Sequence, residues 1–139
     1  MFGSSGGVSS YPGRYNCSTV YDGWVSQCCP GGDGGASVAF DASWVVNTFT
    51  EYAQPLQKIV PVFVNQWSVV HGVPASAGRF QFMSDVAHAL KAADIGWAWW
   101  VWRGGGDAWS HGSSEMAYYY ANGTVEFDEQ AIAAVLPYV

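Results

Sequence analysis

Charge is scarce in this chain. Only five of its 139 residues are Lys or Arg, against eleven Asp or Glu, for a net charge of −6. Binding nucleic acid by neutralising phosphates needs clustered cations, and five scattered ones exclude it. No apolar run approaches the roughly 18 residues of a membrane-spanning helix, so no membrane partner is expected. Met1–Ser10 has neither a basic start nor an apolar block, which excludes a signal peptide there. Cysteine is scarce too, at three residues: Cys17, Cys28 and Cys29. An odd count allows one disulfide, from Cys17 to Cys28 or Cys29, with one thiol left over; a reduced vicinal pair is the alternative. No His lies in that segment, and a zinc site takes three or four ligands. Neither a metal nor a cofactor is expected.

Apolar and aromatic residues are what the chain has in quantity. Half of it is hydrophobic, with eight Trp and eight Tyr, which describes a folded core rather than a disordered tail. Most of those rings belong to the core, and the rest suit a flat apolar surface of the kind sugar-binding clefts use. Residues 1–36 are rich in Gly, Ser and Tyr and read as an irregular segment, with a short strand near Ser18–Val25. Residues 37–139 read as one patterned domain. Two triplets, Asn16-Cys17-Ser18 and Asn122-Gly123-Thr124, match the N-glycosylation pattern. With the cysteines they point toward a secreted chain.

The pattern is clearest from Val60 to Arg103. Val60–Val64 is a short apolar run rich in β-branched residues, with Pro61 at its start, and Gly96–Trp102 is a second run dense in tryptophan. Both read as buried parallel strands. Between them, Phe82, Met83, Val86, Ala87, Leu90 and Ala93 recur at helical steps, with Ser76 as the expected N-cap and Gly96 close behind the helix end. Strand, helix and strand at this spacing form a right-handed βαβ unit. Ligands collect at the carboxyl ends of such strands, where Asn65-Gln66-Trp67 and Arg103-Gly104 stand. Upstream, Ala42–Leu56 reads as a helix capped by Asp41, ended by Pro55, with a core stripe of Trp44, Val45, Thr48, Phe49, Tyr52 and Ala53. Downstream, Gly104–Ser114 reads as a glycine-rich loop carrying Asp107, Trp109 and His111, with Glu115 just beyond. Met116–Ala121 is a short strand and Asn122-Gly123 a turn. A last helix spans Phe127–Leu136, capped by Asp128 and stopped by Pro137, with Ile132, Val135 and Leu136 facing the core. His71 and His88 read as structural.

The run Pro61-Val62-Phe63-Val64-Asn65-Gln66-Trp67-Ser68 resembles the seventh-strand motif of the cellulase-like glycoside hydrolases (family five and its clan). Gly96-Trp97-Ala98-Trp99-Trp100-Val101-Trp102-Arg103 resembles the eighth strand of that family, whose later tryptophan stacks on sugar. The resemblance spans roughly residues 38–139. It implies the carboxyl-terminal βα units of a partial (β/α) TIM-type barrel, following the irregular N-terminal segment. It also implies a glycosidase of the endoglucanase type, acting on a β-linked polysaccharide. Gln66 then stands at the nucleophile position, and Asn65, Trp67, Trp100, Trp102 and Trp109 at substrate-binding positions.

The departures decide the expected activity. Retaining glycosidases need two carboxyl groups about 5 Å apart. This chain has Gln66 where the family has Glu, and it contains no Asn-Glu pair to supply the acid/base. It is therefore expected to be inactive as it stands. The alternatives are a non-catalytic carbohydrate-binding module and an interaction protein that uses exposed sheet edges. Strand alternation puts Ala98, Trp100 and Trp102 on one face and Trp97 and Trp99 on the other. A barrel-interior face of Val62, Val64, Trp100 and Trp102 left open would favour a homo-oligomer.

Overall fold

Helix α1 (Ala42–Tyr52) begins where Asp41 Oδ1 accepts the N–H of Trp44 at 3.0 Å, satisfying a donor that the first turn leaves free. The structure, a computed structural model, describes residues 10–17, 37–69, 72–100, 103–105 and 116–139. Within these, β1 (Gly13–Asn16) pairs antiparallel with β2 (Ser37–Phe40), which leads into α1. A short helix α2 (Gln54–Gln57) precedes β3 (Phe63–Trp67). The longest helix, α3 (Arg79–Ala92), then delivers the chain to β4 (Gly96–Trp99), which lies parallel to β3. Strands β5 (Arg103–Gly105), β6 (Ala117–Tyr119) and β7 (Val125–Phe127) form a second unit, with β6 parallel to β5 and antiparallel to β7. Helix α4 (Glu129–Val135) closes the chain with a 3₁₀ turn.

The expectation of a partial (β/α) barrel is overturned. A barrel wall is one sheet in which each strand bonds two parallel neighbours. Among the described residues the strands instead form three separate sheets, of two, two and three strands, and β1–β2 and β6–β7 are antiparallel. The local strand–helix–strand unit is present, but among the described residues it does not propagate.

Several boundaries moved for identifiable reasons. Pro55 does not stop a helix but sits in the first turn of α2, where its missing N–H would have had no partner anyway. Strand β3 starts at Phe63 rather than Val60, so Asn65 and Gln66 lie inside the strand, not beyond it. Ser76 caps nothing, because Ala75–Ala77 forms a 3₁₀ turn and Gly78 occupies the cap of α3 at φ +84°. A Cβ on Gly78 would overlap the Tyr11 carbonyl, so glycine is required by close approach as well as by the positive φ. At the other end of α3 the left-handed residue is Asp94 at φ 53°, two residues before the expected Gly96. Tyr52 and Leu136, expected in the core, are exposed.

Helix α3 is buried along most of its length because α1 and α4 flank it. Met83, Val86, Ala87, Ala89 and Leu90 are all buried. The described part of the N-terminal segment also packs into this core. Tyr11 meets Phe40 and Phe82 edge-on at centroid distances of 5.0 and 5.1 Å, and Phe40 continues the cluster to Trp44 at 5.1 Å. Tyr11 also donates its hydroxyl proton to Asp85 Oδ2 at 2.6 Å. Cys17, at 1% exposure, is disulfide-bonded. Its candidate partners Cys28 and Cys29 lie outside the described residues, as does the expected strand at Ser18–Val25.

The most demanding contact joins the starts of two helices. Arg79 opens α3 and is 5% exposed; its Nη2 donates to Asp128 Oδ2 at 2.6 Å. The other oxygen, Asp128 Oδ1, accepts the N–H of Ala131 at 2.9 Å and caps α4. One carboxylate thus neutralises a buried cation and starts a helix. Removing a single partner of such a pair costs about 3–5 kcal/mol, because the other charge is stranded. Asp128→Ala is expected to lower stability by that amount in urea denaturation. The double variant Arg79→Met with Asp128→Ser, which keeps a capping hydroxyl, is expected to recover most of it.

Burial, the hydrogen bond to Asp85 and the negative charges of Asp85 and Asp41 together push the Tyr11 phenol far above its usual range. Below about pH 10, where an unfolded tyrosine begins to ionise, its contribution to stability is complete. Above that pH the unfolded chain loses the proton while the folded chain keeps it, so stability falls as pH rises. Tyr11→Phe is expected to lose about 1–2 kcal/mol at neutral pH with the hydrogen bond. Its Tm should then decline less steeply than that of the parent between about pH 9 and pH 11.

Candidate functional site

The carboxyl end of the β3–β4 pair carries the site positions that the strand motifs single out. The register there is irregular: Val64 faces Trp97 and Trp67 faces Trp99, so β3 spends one more residue than β4 over the same length. An extra residue of this kind breaks the in–out alternation of a strand and re-aims side chains. The consequence is visible in the burial. Phe63 is exposed, Val64 half-buried, and then Asn65 and Gln66 are both exposed before Trp67 turns inward again. A regular strand would have hidden one of those two amides.

Trp67 anchors the inner side. It meets Trp97 and Trp99 edge-on at 5.4 and 4.8 Å, and all three rings, with Val64, pack against the core. Its indole Nε1–H is buried and finds no acceptor, an uncommon state for a buried donor. The N–H of Trp100 donates to the Trp67 carbonyl at 2.9 Å, which continues the pairing one residue beyond β4. Trp100 itself is 52% exposed. The two faces of the tryptophan strand therefore differ as alternation requires, with Trp97 and Trp99 inward and Trp100 outward. Val62 and Val64 also pack against the core, so they do not share an open face with Trp100.

Of the positions implied by the resemblance, Gln66 at the nucleophile position and Asn65, Trp67 and Trp100 at substrate-binding positions lie together toward the carboxyl end of the β3–β4 pair. Trp102 and Trp109 lie outside the described residues, together with Asp107, His111, Glu115 and His71. His88 is exposed on α3, with its ring 5.4 Å from that of Tyr138. No carboxylate stands on β3 or β4, whose sequences are FVNQW and GWAW. Among the described residues the site offers amide donors and acceptors and a bare ring face, but no acid, base or nucleophile. Such a set can hold a neutral polar ligand with an apolar face. Among the described residues no three His, Cys, Asp or Glu side chains are grouped to hold a metal ion.

A groove of about 550 Å³ lies behind the tryptophans, lined by Ile95, Trp97, Trp99, Met116, Ile132 and Val135 among others. Its walls are aliphatic and aromatic, and neither Asn65 nor Gln66 reaches it. The opposite faces of Trp97 and Trp100 follow the alternation read from the sequence, whereas the irregular register of β3 and the unpaired Trp67 N–H were features that sequence reasoning missed. The extra residue in β3 generates both exposed amides, and two consecutive polar residues between Val64 and Trp67 were the only signal for it. Among the described residues no helix is long and apolar enough to cross a membrane. No family model matches the chain, and no curated protein matches it in sequence.

Proposed function

We propose that this protein binds β-linked oligosaccharides without hydrolysing them, at the carboxyl end of β3 and β4. The observation that carries the reading is Trp100. Its large ring is left half in water, its backbone N–H donates to the Trp67 carbonyl, and the paired strand exposes the amides of Asn65 and Gln66. Pyranose rings present an apolar C–H face to an aromatic plane and hydroxyls to amide groups at its rim. The strand motifs that resemble cellulase-like glycoside hydrolases support the same ligand class. The absence of a carboxylate from β3 and β4 argues for binding over catalysis.

Titration calorimetry with cello- and manno-oligosaccharides tests this. A well-placed ring contact contributes about 0.5–1.5 kcal/mol beyond its buried area, so Trp100→Ala is expected to weaken binding about tenfold with an unchanged melting profile. Trp97→Ala is expected to lower the melting temperature instead, since that ring packs against the core. Absence of binding by the parent chain, or indifference of binding to Trp100→Ala, would sink the proposal. Gln66→Glu is expected to yield no turnover of aryl β-glycosides, because one restored carboxylate still lacks its proton-donating partner.

Self-association is a second reading, favoured by a different end of the molecule. Ile59, Val60 and Phe63 are exposed around the start of β3, with Ile59 at 79%. Apolar side chains grouped beside a free strand edge invite another chain. Light scattering is expected to show a concentration-dependent dimer, which Phe63→Lys should reduce.

A further inference from the structure

We propose that Asn122 is an N-glycosylation site, carried at the tip of the β6–β7 hairpin. The triplet Asn122-Gly123-Thr124 is only a pattern in the sequence, and such patterns recur by chance. The structure adds the features that an acceptor needs. The Gly123 N–H donates to the Tyr120 carbonyl at 3.0 Å, and the Tyr120 N–H to the Thr124 carbonyl at 2.9 Å. With Gly123 at φ +85°, this is a three-residue hairpin loop ending in a left-handed glycine. Asn122, Gly123 and Thr124 are all exposed, and nothing lies within 4 Å of where a Cβ on Gly123 would project. The tip therefore has room for a bulky group, whether it is added to the emerging chain or to the folded one.

The acceptor is also oriented. Asn122 Oδ1 accepts the Thr124 N–H at 2.9 Å, which fixes the amide plane and leaves Nδ2 without a hydrogen bond of its own. A second, independent observation concerns the compartment. Cys17 is disulfide-bonded and 1% exposed, and disulfides of this kind form in the oxidising secretory route. Asn-linked glycans are added along that same route. The other triplet lacks this setting, since Asn16 is held in β1 opposite Ser37 and is followed by the buried, bonded Cys17.

The transfer balances without redox change. Asn122 Nδ2 forms a bond to the anomeric carbon of a lipid-linked diphosphate oligosaccharide. The bond from that carbon to the diphosphate oxygen breaks, the lipid diphosphate leaves, and the displaced amide proton passes to a base of the transferase. The product is a glycan beside β7, the outermost strand of its sheet, where Val125 and Phe127 are exposed. Bulk at that position would hinder edge-to-edge pairing with another chain.

The test is secretion of the full chain from a eukaryotic host behind a cleavable leader, followed by peptide N-glycosidase digestion and mass spectrometry. The expected result is a single glycan, with Asn122 converted to Asp on its release. It should be lost in Asn122→Gln and Thr124→Ala, but kept in Asn16→Gln and in Thr124→Ser, which preserves the acceptor pattern. Secreted parent protein with no glycan, or a glycan lost in Asn16→Gln and retained in Asn122→Gln, overturns the proposal. Because Thr124→Ala and Thr124→Ser differ little in bulk, a folding defect cannot imitate the expected contrast between them.

Discussion

A buried cation has to be answered, and in this protein Asp128 answers Arg79. The guanidinium sits at the first residue of α3 and the carboxylate at the residue between β7 and α4. Their contact fixes the start of one helix against the start of another. The same carboxylate also caps α4, so neither helix can shift without stranding charge or opening a cap. Net stabilisation by a buried pair is small once desolvation is counted, while the penalty for mispairing is large. The pair therefore acts mainly on geometry. It brings α4 against α3, and that packing walls the groove behind Trp97 and Trp99.

The exposed polar side of β3 follows from a mismatch in length. Because β3 uses one residue more than β4 between paired positions, the polar pair Asn65-Gln66 can be wholly exposed while Val64 and Trp67 stay inward. Without that irregularity, one amide would point toward the core and need a partner there, at the cost of about 1–3 kcal/mol for an unmet buried group. The polar rim of the site and the apolar packing beneath it are thus two results of one backbone feature.

Local signals in the sequence were readable and distant ones were not. Asp41 and Asp128 were recognisable as caps because capping depends on residues two or three positions away. The face of α3 and the Asn122-Gly123 turn were legible for the same reason. So was the parallel pairing of the two strands around α3, since a helical connection leaves few other arrangements. The global architecture was not legible. A barrel was inferred from the resemblance of two strand motifs to a barrel family, yet nothing within the one βαβ unit they bound decides what pairs with its outer edges. Antiparallel pairing of β1 with β2 joins residues far apart in sequence. Arg79 escaped notice because its partner lies 49 positions away, and nothing in its own neighbourhood marks it as buried. Tyr11 and Tyr15 were set aside with an irregular segment, although both enter the aromatic core.

Exposure of Trp100 is the feature of the site least explained by folding alone. A ring half in water forgoes much of the burial energy available to it, roughly 25 cal/mol for each Å² left accessible. Its neighbours Trp97 and Trp99 show that the core accepts indoles at adjacent positions of the same strand. What holds Trp100 outward is the backbone: its N–H is committed to the Trp67 carbonyl, and alternation from the inward Trp99 then dictates the direction. That bond sets the direction of the Cα–Cβ bond and so the face on which the ring stands, while the ring's own χ angles are left to its surroundings.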